Sequence, residues 1–256
     1  MIILRAIQAG YRHFDTAEFY GNEECFGRAL RQSGIPRSQF YITGKVWKTT
    51  MAAGRNGTRK SVLQSLQKLG LEGKDAYFDL FLIHWPVPGL FVEAYLELQV
   101  LHEEGTIKSL GLSNFNEKDY SSLMAAKGVS IRPIYNQMEV SAKMYRPNLI
   151  DFFHQRGMVV IAFKPLGRGE WLLDDALLTI ATDYNVSTAQ LLLRWCIQHG
   201  MAVVCKSSSS ERMRQNRDLL NFEISPEDMQ ALDKLTTLEA ISIRTKHEEK
   251  SKVLKI

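Results

Sequence analysis

The amino-acid sequence predicts an α/β fold, a (β/α)8 TIM barrel formed by one domain over residues 1–256. Short apolar runs alternate with segments of helical periodicity, polar residues stand where the apolar runs end, and no repeat or flexible linker interrupts the order. Strands that alternate with helices imply a parallel sheet, and this number of units favours closure into a barrel. We expect the barrel over residues 1–235 and a C-terminal tail over 236–256.

Seven runs rich in apolar and β-branched residues predict the strands, at residues 11–15, 40–45, 77–84, 107–112, 133–137, 158–163 and 202–205. Helical periodicity predicts helices at residues 23–32, 60–69, 90–103, 117–127 and 148–156, and one longer segment over 171–199. A further helix-like segment, residues 2–9, opens the chain. A complete barrel of this type has eight strands, one more than the sequence predicts.

Helix starts carry their own chemical signals. Ser187-x-x-Gln190 and Ser208-x-x-Glu211 have the spacing of capping boxes, in which the two side chains satisfy backbone N–H groups reciprocally. Ser225 before Pro226 places a capping residue ahead of a proline in the first helical position. We therefore expect helices to begin just after Ser187, Ser208 and Ser225.

Composition and charge narrow the class of protein. Hydrophobic residues make up 45% of the chain and charged residues 23%, which is typical of a globule with a sizeable core. Five of the thirteen residues from Arg244 onward are basic and two are acidic, so this tail accounts for +3 of the net charge of +4. We expect a frayed, solvated tail and no nucleic-acid partner.

The cysteines and the apolar segments indicate a cytoplasmic protein without membrane attachment. Cys25, Cys196 and Cys205 have neither metal-type nor disulfide-type spacing, and Cys205 is expected to be buried in a strand. No apolar stretch is long enough to cross a bilayer, and the first residues lack the features of a signal peptide. The histidines show no ligand spacing, so we predict no metal site.

Polar or aromatic residues stand at the end of every predicted strand. In chain order they are Asp15, Lys45, His84, Ser113 with Asn114, Gln137, Phe163, and Lys206 with Ser207. The carboxyl ends of barrel strands converge on one face, where barrel enzymes place their active sites. The joint pattern across seven strands therefore predicts a functional site there.

Three of these residues form a chemical unit with Tyr20. Lys45 beside Asp15 makes a charge pair in a partly dry pocket. An ammonium near the phenol of Tyr20 is expected to lower its pKa from about 10, which makes Tyr20 a general acid. His84 is placed to donate a hydrogen bond to a carbonyl oxygen as negative charge develops on it. The four side chains suit protonation of an oxyanion while hydride reaches the adjacent carbon.

The motifs around these residues resemble those of the aldo-keto reductase family, from about Leu4 to about Leu235. In order they read GYRHFDTA at 10–17, YGNE at 20–23, YITGKVW at 41–47, DLFLIHWP at 79–86, GLSNF at 111–115, NQ-x-E at 136–139, PLGRG at 165–169 and LRW at 193–195. The resemblance implies NADPH-dependent reduction of small aldehydes and ketones by a catalytic tetrad of Asp15, Tyr20, Lys45 and His84.

The same resemblance implies the residues that hold the cofactor and the substrate. The nicotinamide carboxamide would bind Ser113, Asn114 and Gln137, and Phe163 would stack on the ring where relatives carry tyrosine. Further cofactor contacts fall on Leu166, Lys206, Ser207, Arg212 and Asn216. Trp47 and Trp85 resemble substrate-pocket aromatics, which suit apolar carbonyl compounds.

The expectation of NADPH rather than NADH depends on the cationic residues after the seventh strand. A 2′-phosphate needs cationic donors, which Lys206 and Arg212 supply beside Ser207. No G-x-G-x-x-G follows a predicted strand, which argues against a Rossmann domain. We expect a small-molecule carbonyl substrate and a monomer.

Two departures from the family pattern leave alternatives to an active enzyme open. The family's first strand and N-terminal hairpin, expected before Ile2, are missing, so the chain looks N-terminally truncated. Gly44 stands where relatives carry Ser or Thr and is expected to loosen its strand. The alternatives to an enzyme are a cofactor-binding regulatory module, like the β-subunits of potassium channels, and an inactive truncated family member.

Overall fold

Seven strands form where the sequence places its apolar runs. In a computed structural model, which describes residues 2–254, they are β1 His13–Asp15, β2 Tyr41–Val46, β3 Leu80–Ile83, β4 Leu110–Ser113, β5 Tyr135–Glu139, β6 Val159–Phe163 and β7 Ala202–Val204. They belong to one sheet in the order β1 to β7. Each strand falls on one of the seven predicted runs.

Four pairs of neighbouring strands have a parallel register: β1 with β2, β2 with β3, β3 with β4, and β6 with β7. His13 lies opposite Tyr41, Thr43 opposite Leu80, and Phe81 opposite Leu110. β6 and β7 pair in the same sense, with Ile161 opposite Ala202. Parallel strands joined by helices confirm the predicted α/β barrel class, because parallel neighbours require crossover connections.

The helices between the strands also follow the predicted pattern. They are α1 Ile2–Gln8, α2 Glu23–Ser33, α3 Lys48–Met51, α4 Gly54–Leu69, α5 Phe91–Glu103, α6 Glu117–Met124, α7 Pro147–His154, α8 Asp175–Asp183, α9 Thr188–Gln198, α10 Ser210–Gln215, α11 Pro226–Asp233 and α12 Leu238–Ser251. The segment predicted as one long helix over 171–199 is two helices, because Asn185 adopts a left-handed backbone conformation between them. None of the described helices has the length and apolar character needed to cross a bilayer.

Two of the three predicted helix starts are confirmed. Ser187 and Gln190 form a complete capping box at α9, and Ser225 caps α11 with proline at its start. The third is wrong by one residue: Ser209, not Ser208, accepts the hydrogen bond from the Arg212 N–H. With Ser209 as the cap, Glu211 lies one position too early to close the box.

The chain divides into two compact units, one of residues up to Asn136 with those from Glu249 onward, and the other of Gln137–Glu248. In the first unit every residue of β3 is fully buried.

The expectation that Gly44 loosens β2 is wrong, because the Phe81 ring packs where a side chain would be: a Cβ on Gly44 would lie 2.6 Å from it. The single domain over 1–256 stays a prediction.

The core of the second unit centres on Trp195, which is fully buried on α9. Its indole Nε1–H donates a 2.8 Å hydrogen bond to Asp233 of α11. The same carboxylate oxygen lies 2.8 Å from His199 Nε2. A buried indole needs such an acceptor, so this contact fixes α9 against α11.

The predicted solvated tail is wrong, because residues 238–251 form a helix with buried charges. Arg244 is 5% exposed, and it donates to Glu248 at 2.8 Å and to Glu139 at 2.7 Å. Nearer the end of the chain, the Lys252 ammonium is buried against Asp119 at 2.8 Å. The charges counted along the tail do not reveal these partners, because Glu139 and Asp119 belong to distant segments of the chain. Of the tail's basic residues, Lys255 lies outside the described residues.

We expect Arg244→Met to lower the free energy of unfolding by about 1–3 kcal/mol, since Glu139 and Glu248 lose their shared cation and keep one other each, Lys164 and Arg146. Urea unfolding followed by circular dichroism measures the loss. The matched control is Arg214→Met, whose ion pair with Glu211 lies on the surface and is expected to contribute under about 1 kcal/mol. Equal effects of the two substitutions would contradict a structural role for α12.

Candidate active site

Lys45 is the centre of a polar cluster in the first unit. Its side chain is fully buried near the end of β2, and its ammonium forms an ion pair with Asp15 at the end of β1. The ammonium also donates to the carbonyl oxygen of Thr16 at 2.9 Å and contacts the hydroxyl of Tyr20 at 3.4 Å. The parallel pairing of β1 with β2 brings these groups together, because both strands end at the same edge of the sheet.

Tyr20 is carried by a short 3₁₀ turn, Glu18–Tyr20, between β1 and α2. Gly21, at φ 63°, ends the turn in the left-handed region that glycine adopts without strain. Burial raises the pKa of the Tyr20 phenol above its ordinary value, although the Lys45 ammonium lowers it. Lys45 thus acts in the predicted direction but is outweighed, and the expected net lowering is wrong. The phenol therefore stays protonated at neutral pH.

His84 directly follows β3 and closes the cluster from another side. Its ring meets the ring of Tyr20 edge-on, with centroids 5.8 Å apart. Burial, and then the charge of Lys45, hold the pKa of His84 well below its ordinary value, so the imidazole is neutral. Its Nδ1 is buried and makes no hydrogen bond within residues 2–254. The geometry therefore brings together all four residues of the predicted tetrad.

An aromatic wall lies beside this cluster. Trp47 stacks on Phe19 with ring centroids 4.0 Å apart, and it meets the His84 ring edge-on at 4.9 Å. The sequence prediction missed Phe19, although its position next to Tyr20 was a usable signal. Trp85 is buried, and its contact with substrate stays a prediction.

Ser113 and Asn114 are buried at the end of β4. The Asn114 side-chain amide donates to the His84 carbonyl oxygen and to the Ser113 hydroxyl, each at 3.0 Å. Asn114 has a backbone φ of 62°, an unusual conformation that is tolerated best by asparagine among residues with side chains. These contacts join the end of β4 to the residue that follows β3.

The second unit contains the other residues predicted to hold the cofactor. Gln137 is buried, while Phe163 at the end of β6 and the nearby Leu166 are partly exposed. Two cations approach the Phe163 ring, with Arg244 at 5.5 Å and Lys164 at 5.6 Å from its centroid. Both cations also pair with Glu139, so this carboxylate holds them beside the ring.

Two exposed cationic side chains follow β7. Lys206 and Arg212 are exposed, and neither side chain makes an ion pair or a hydrogen bond with another described residue. Ser207 is bonded to the backbone of Ser209, and the Asn216 amide contacts Cys205 Sγ at 3.9 Å. Two uncommitted cations fit the phosphate of a dinucleotide cofactor, which needs cationic donors. The expected burial of Cys205 in β7 is wrong, because the strand ends at Val204 and the thiol-bearing residue is exposed.

The four-residue cluster defines a class of enzyme that reduces or oxidises at a carbonyl or alcohol carbon. A protonated phenol and a neutral imidazole face a common region, and a buried ammonium stands behind the phenol to stabilise a phenolate. No group of three possible metal ligands occurs among the residues from 2 to 254. A phenol, an imidazole and an ammonium placed in this way suit proton transfer by side chains to a carbonyl oxygen.

The chain belongs to the aldo/keto reductase family, whose model matches residues 1–237. It is an oxidoreductase of this family, whose members use NADP(H). Among curated proteins it is 39% identical over 234 residues to the uncharacterized oxidoreductase YtbE of Bacillus subtilis, covering 90% of this chain and 81% of that one. It is 36% identical over 236 residues to glyoxal reductase of the same organism, covering 92% and 83%.

Solved structures of this family have the same fold. An aldo/keto reductase from Brucella melitensis matches with a TM-score of 0.84 at 38% identity, covering 91% of this chain and 88% of that one. A Bombyx mori aldo-keto reductase, solved in complex with NADP, matches with a TM-score of 0.83 at 30% identity, covering 92% and 81%. These matches agree with the barrel class that the strand order indicates.

Proposed function

We propose that this protein reduces small aldehydes and ketones to alcohols, with NADPH as hydride donor and Tyr20 as proton donor. The observation that carries the proposal is the Tyr20 hydroxyl at 3.4 Å from the buried ammonium of Lys45, with the His84 ring on its other side. The name of the Bacillus subtilis relative, glyoxal reductase, supports a small carbonyl substrate.

Tyr20 supplies the proton. Because burial keeps the phenol protonated at neutral pH, Tyr20 donates its proton as negative charge develops on the carbonyl oxygen. The phenolate that remains lies against the Lys45 ammonium, which stabilises it. Asp15 and the Thr16 carbonyl hold that ammonium in place, so Lys45 stays at the phenol throughout.

His84 orients the carbonyl group. A neutral imidazole donates one hydrogen bond, and such a donor stabilises the developing oxyanion where water is excluded. Because loss of its one remaining N–H proton would leave His84 as an imidazolate anion, the phenol of Tyr20 is the acid. The Trp47 and Phe19 rings provide an apolar wall that suits aromatic or alkyl carbonyl compounds.

When bound, the cofactor supplies hydride to the carbonyl carbon. In the first unit Ser113 and Asn114 would hold the nicotinamide carboxamide. In the second unit the proposed contacts are Gln137, Phe163, Leu166, Lys206, Ser207, Arg212 and Asn216. The exposed, uncommitted cations Lys206 and Arg212 support a preference for NADPH over NADH, because a 2′-phosphate adds negative charge that cationic donors neutralise. The NADP bound to the Bombyx mori relative agrees with this preference.

The proposal is tested by two measurements on the purified chain. Quenching of tryptophan fluorescence titrates NADPH and, for comparison, NADH. The decrease of NADPH absorbance with nitrobenzaldehyde then measures turnover. We expect tighter binding of NADPH and steady turnover. Binding without turnover would instead indicate a regulatory cofactor-binding module, and a chain that neither binds NADPH nor melts cooperatively would be an inactive family member.

A further inference from the structure

We propose that Glu18 is a positioning residue for the proton donor. Its carboxylate connects the turn that carries Tyr20 to the segment after β2, and so sets the distance between the phenol and Lys45. The inference depends on the proposed role of Tyr20 as proton donor.

The carboxylate of Glu18 accepts three hydrogen bonds. Oε2 accepts from the Trp47 backbone N–H at 3.2 Å and from the Ser61 hydroxyl at 2.6 Å. Oε1 accepts from the Thr50 hydroxyl. No Lys or Arg among the described residues forms an ion pair with Glu18, so three neutral donors hold the charged group. The donors come from the loop after β2, from α3 and from α4.

These hydrogen bonds also fix the position of the Tyr20 backbone, because the turn is short. Glu18 is its first residue and Tyr20 its last, and the Tyr20 N–H closes the turn on the carbonyl of Ala17 at 3.0 Å. Ala17 is fully buried, which fixes the other end of the turn. Once Ala17 and Glu18 are held, little freedom remains for the backbone of Tyr20.

The side chain of Tyr20 has few restraints of its own. Tyr20 as a whole residue is 45% exposed although its phenol oxygen is largely buried, and this hydroxyl reaches Lys45 at a long 3.4 Å. Phe19, between Glu18 and Tyr20, stacks on Trp47, whose backbone N–H is bonded to Glu18. The turn Glu18–Tyr20 is therefore joined to Trp47 twice, through the Glu18 carboxylate and through the stacked rings of Phe19 and Trp47.

A conservative and a disruptive substitution separate the role of the hydrogen bonds from that of charge. Glu18→Gln keeps one oxygen for Trp47 and Ser61 and turns its amide toward Thr50, whose hydroxyl then accepts. Glu18→Ala removes all three acceptors. We expect kcat of Glu18→Ala to fall about 10- to 100-fold, since small misplacement of a reacting group has effects of that size. Glu18→Gln is expected to keep kcat within about 3-fold of the parent. NADPH affinity is expected to be unchanged in both.

The deciding experiment is a double-mutant cycle with Tyr20→Phe. If Glu18 acts through Tyr20, Glu18→Ala lowers kcat in the parent chain and has no further effect in the Tyr20→Phe background. A purely structural role would lower the residual turnover of Tyr20→Phe as well, and would overturn the inference. Glu24→Ala, at an exposed carboxylate at the start of α2, is the matched control and is expected to leave kcat unchanged.

The outcomes distinguish this inference from the proposed function. If Glu18→Ala keeps full kcat while Tyr20→Phe is inactive, the positioning role is wrong and the proton donor stands. If Tyr20→Phe keeps full kcat, Tyr20 is not the proton donor, and the positioning role of Glu18, which depends on that assignment, fails with it.

Discussion

Tyr20→Phe is expected to lower kcat about 10²- to 10⁴-fold, the range that a positioned general acid contributes. The substitution removes only the hydroxyl that lies 3.4 Å from Lys45. The phenylalanine ring retains the volume and the edge-on contact with His84, so folding and NADPH affinity are expected to persist. The rate of NADPH consumption with a reactive aldehyde, at saturating cofactor, measures the effect.

The matched control for this prediction is Tyr77→Phe, another tyrosine of the first unit, whose ring packs against the Arg37 guanidinium. It is expected to keep kcat near that of the parent chain. Because burial raises the pKa of Tyr20, the reduction rate of the parent should stay level through neutral pH and decline only above a pH of about 10. A Tyr20→Phe variant with the turnover of the parent would exclude Tyr20 as the acid.

Lys45→Met is expected to reduce both stability and activity. The substitution retains an unbranched side chain but takes the ammonium away from the half-buried Asp15 carboxylate, and loss of one partner of such an ion pair costs about 3–5 kcal/mol of the free energy of unfolding. It also removes the cation that stabilises the Tyr20 phenolate, so kcat should fall by a factor similar to that of Tyr20→Phe. Urea unfolding measures the first effect and steady-state turnover the second.

The double variant Lys45→Met, Asp15→Asn separates the two roles of the lysine. Neutralising Asp15 removes the carboxylate charge that has lost its ammonium, so most of the lost stability should return. The activity should not return, because no cation faces the phenol. Recovery of turnover together with stability would mean that Lys45 serves only to hold the strands.

Much of the fold was predictable because it depends on local patterns. The apolar runs placed all seven strands, and Ser187 with Gln190 placed the start of α9. The site was predictable because parallel strands end at one edge of a sheet, so Asp15 and Lys45 had to be neighbours once their strands paired. His84 followed from the same strand-end pattern, and Tyr20, five residues after Asp15, completes the tetrad that the family motifs imply.

The partners of Glu18 were not predictable, because they lie 29, 32 and 43 residues away along the chain, and no periodicity links them. The same holds for Arg244 and Glu139, which are 105 residues apart. Sequence composition counted the basic residues of the tail as solvated, while folding buries two of them beside carboxylates. The net pKa of Tyr20 is another case, since it depends on how far burial outweighs one nearby ammonium.

The sequence by itself determined the places of the seven strands and of most helices between them, the family, and the gathering of Asp15, Lys45 and His84 at the strand ends. Side-chain alternation and strand direction are local properties, and they are enough to predict the strands and the residues at their ends. Only the tertiary structure decided the direction in which the pKa of Tyr20 is shifted, the burial of Arg244 and the restraints on the turn that carries Tyr20. Desolvation and long-range pairing depend on which segments pack together, and a linear pattern does not contain that arrangement.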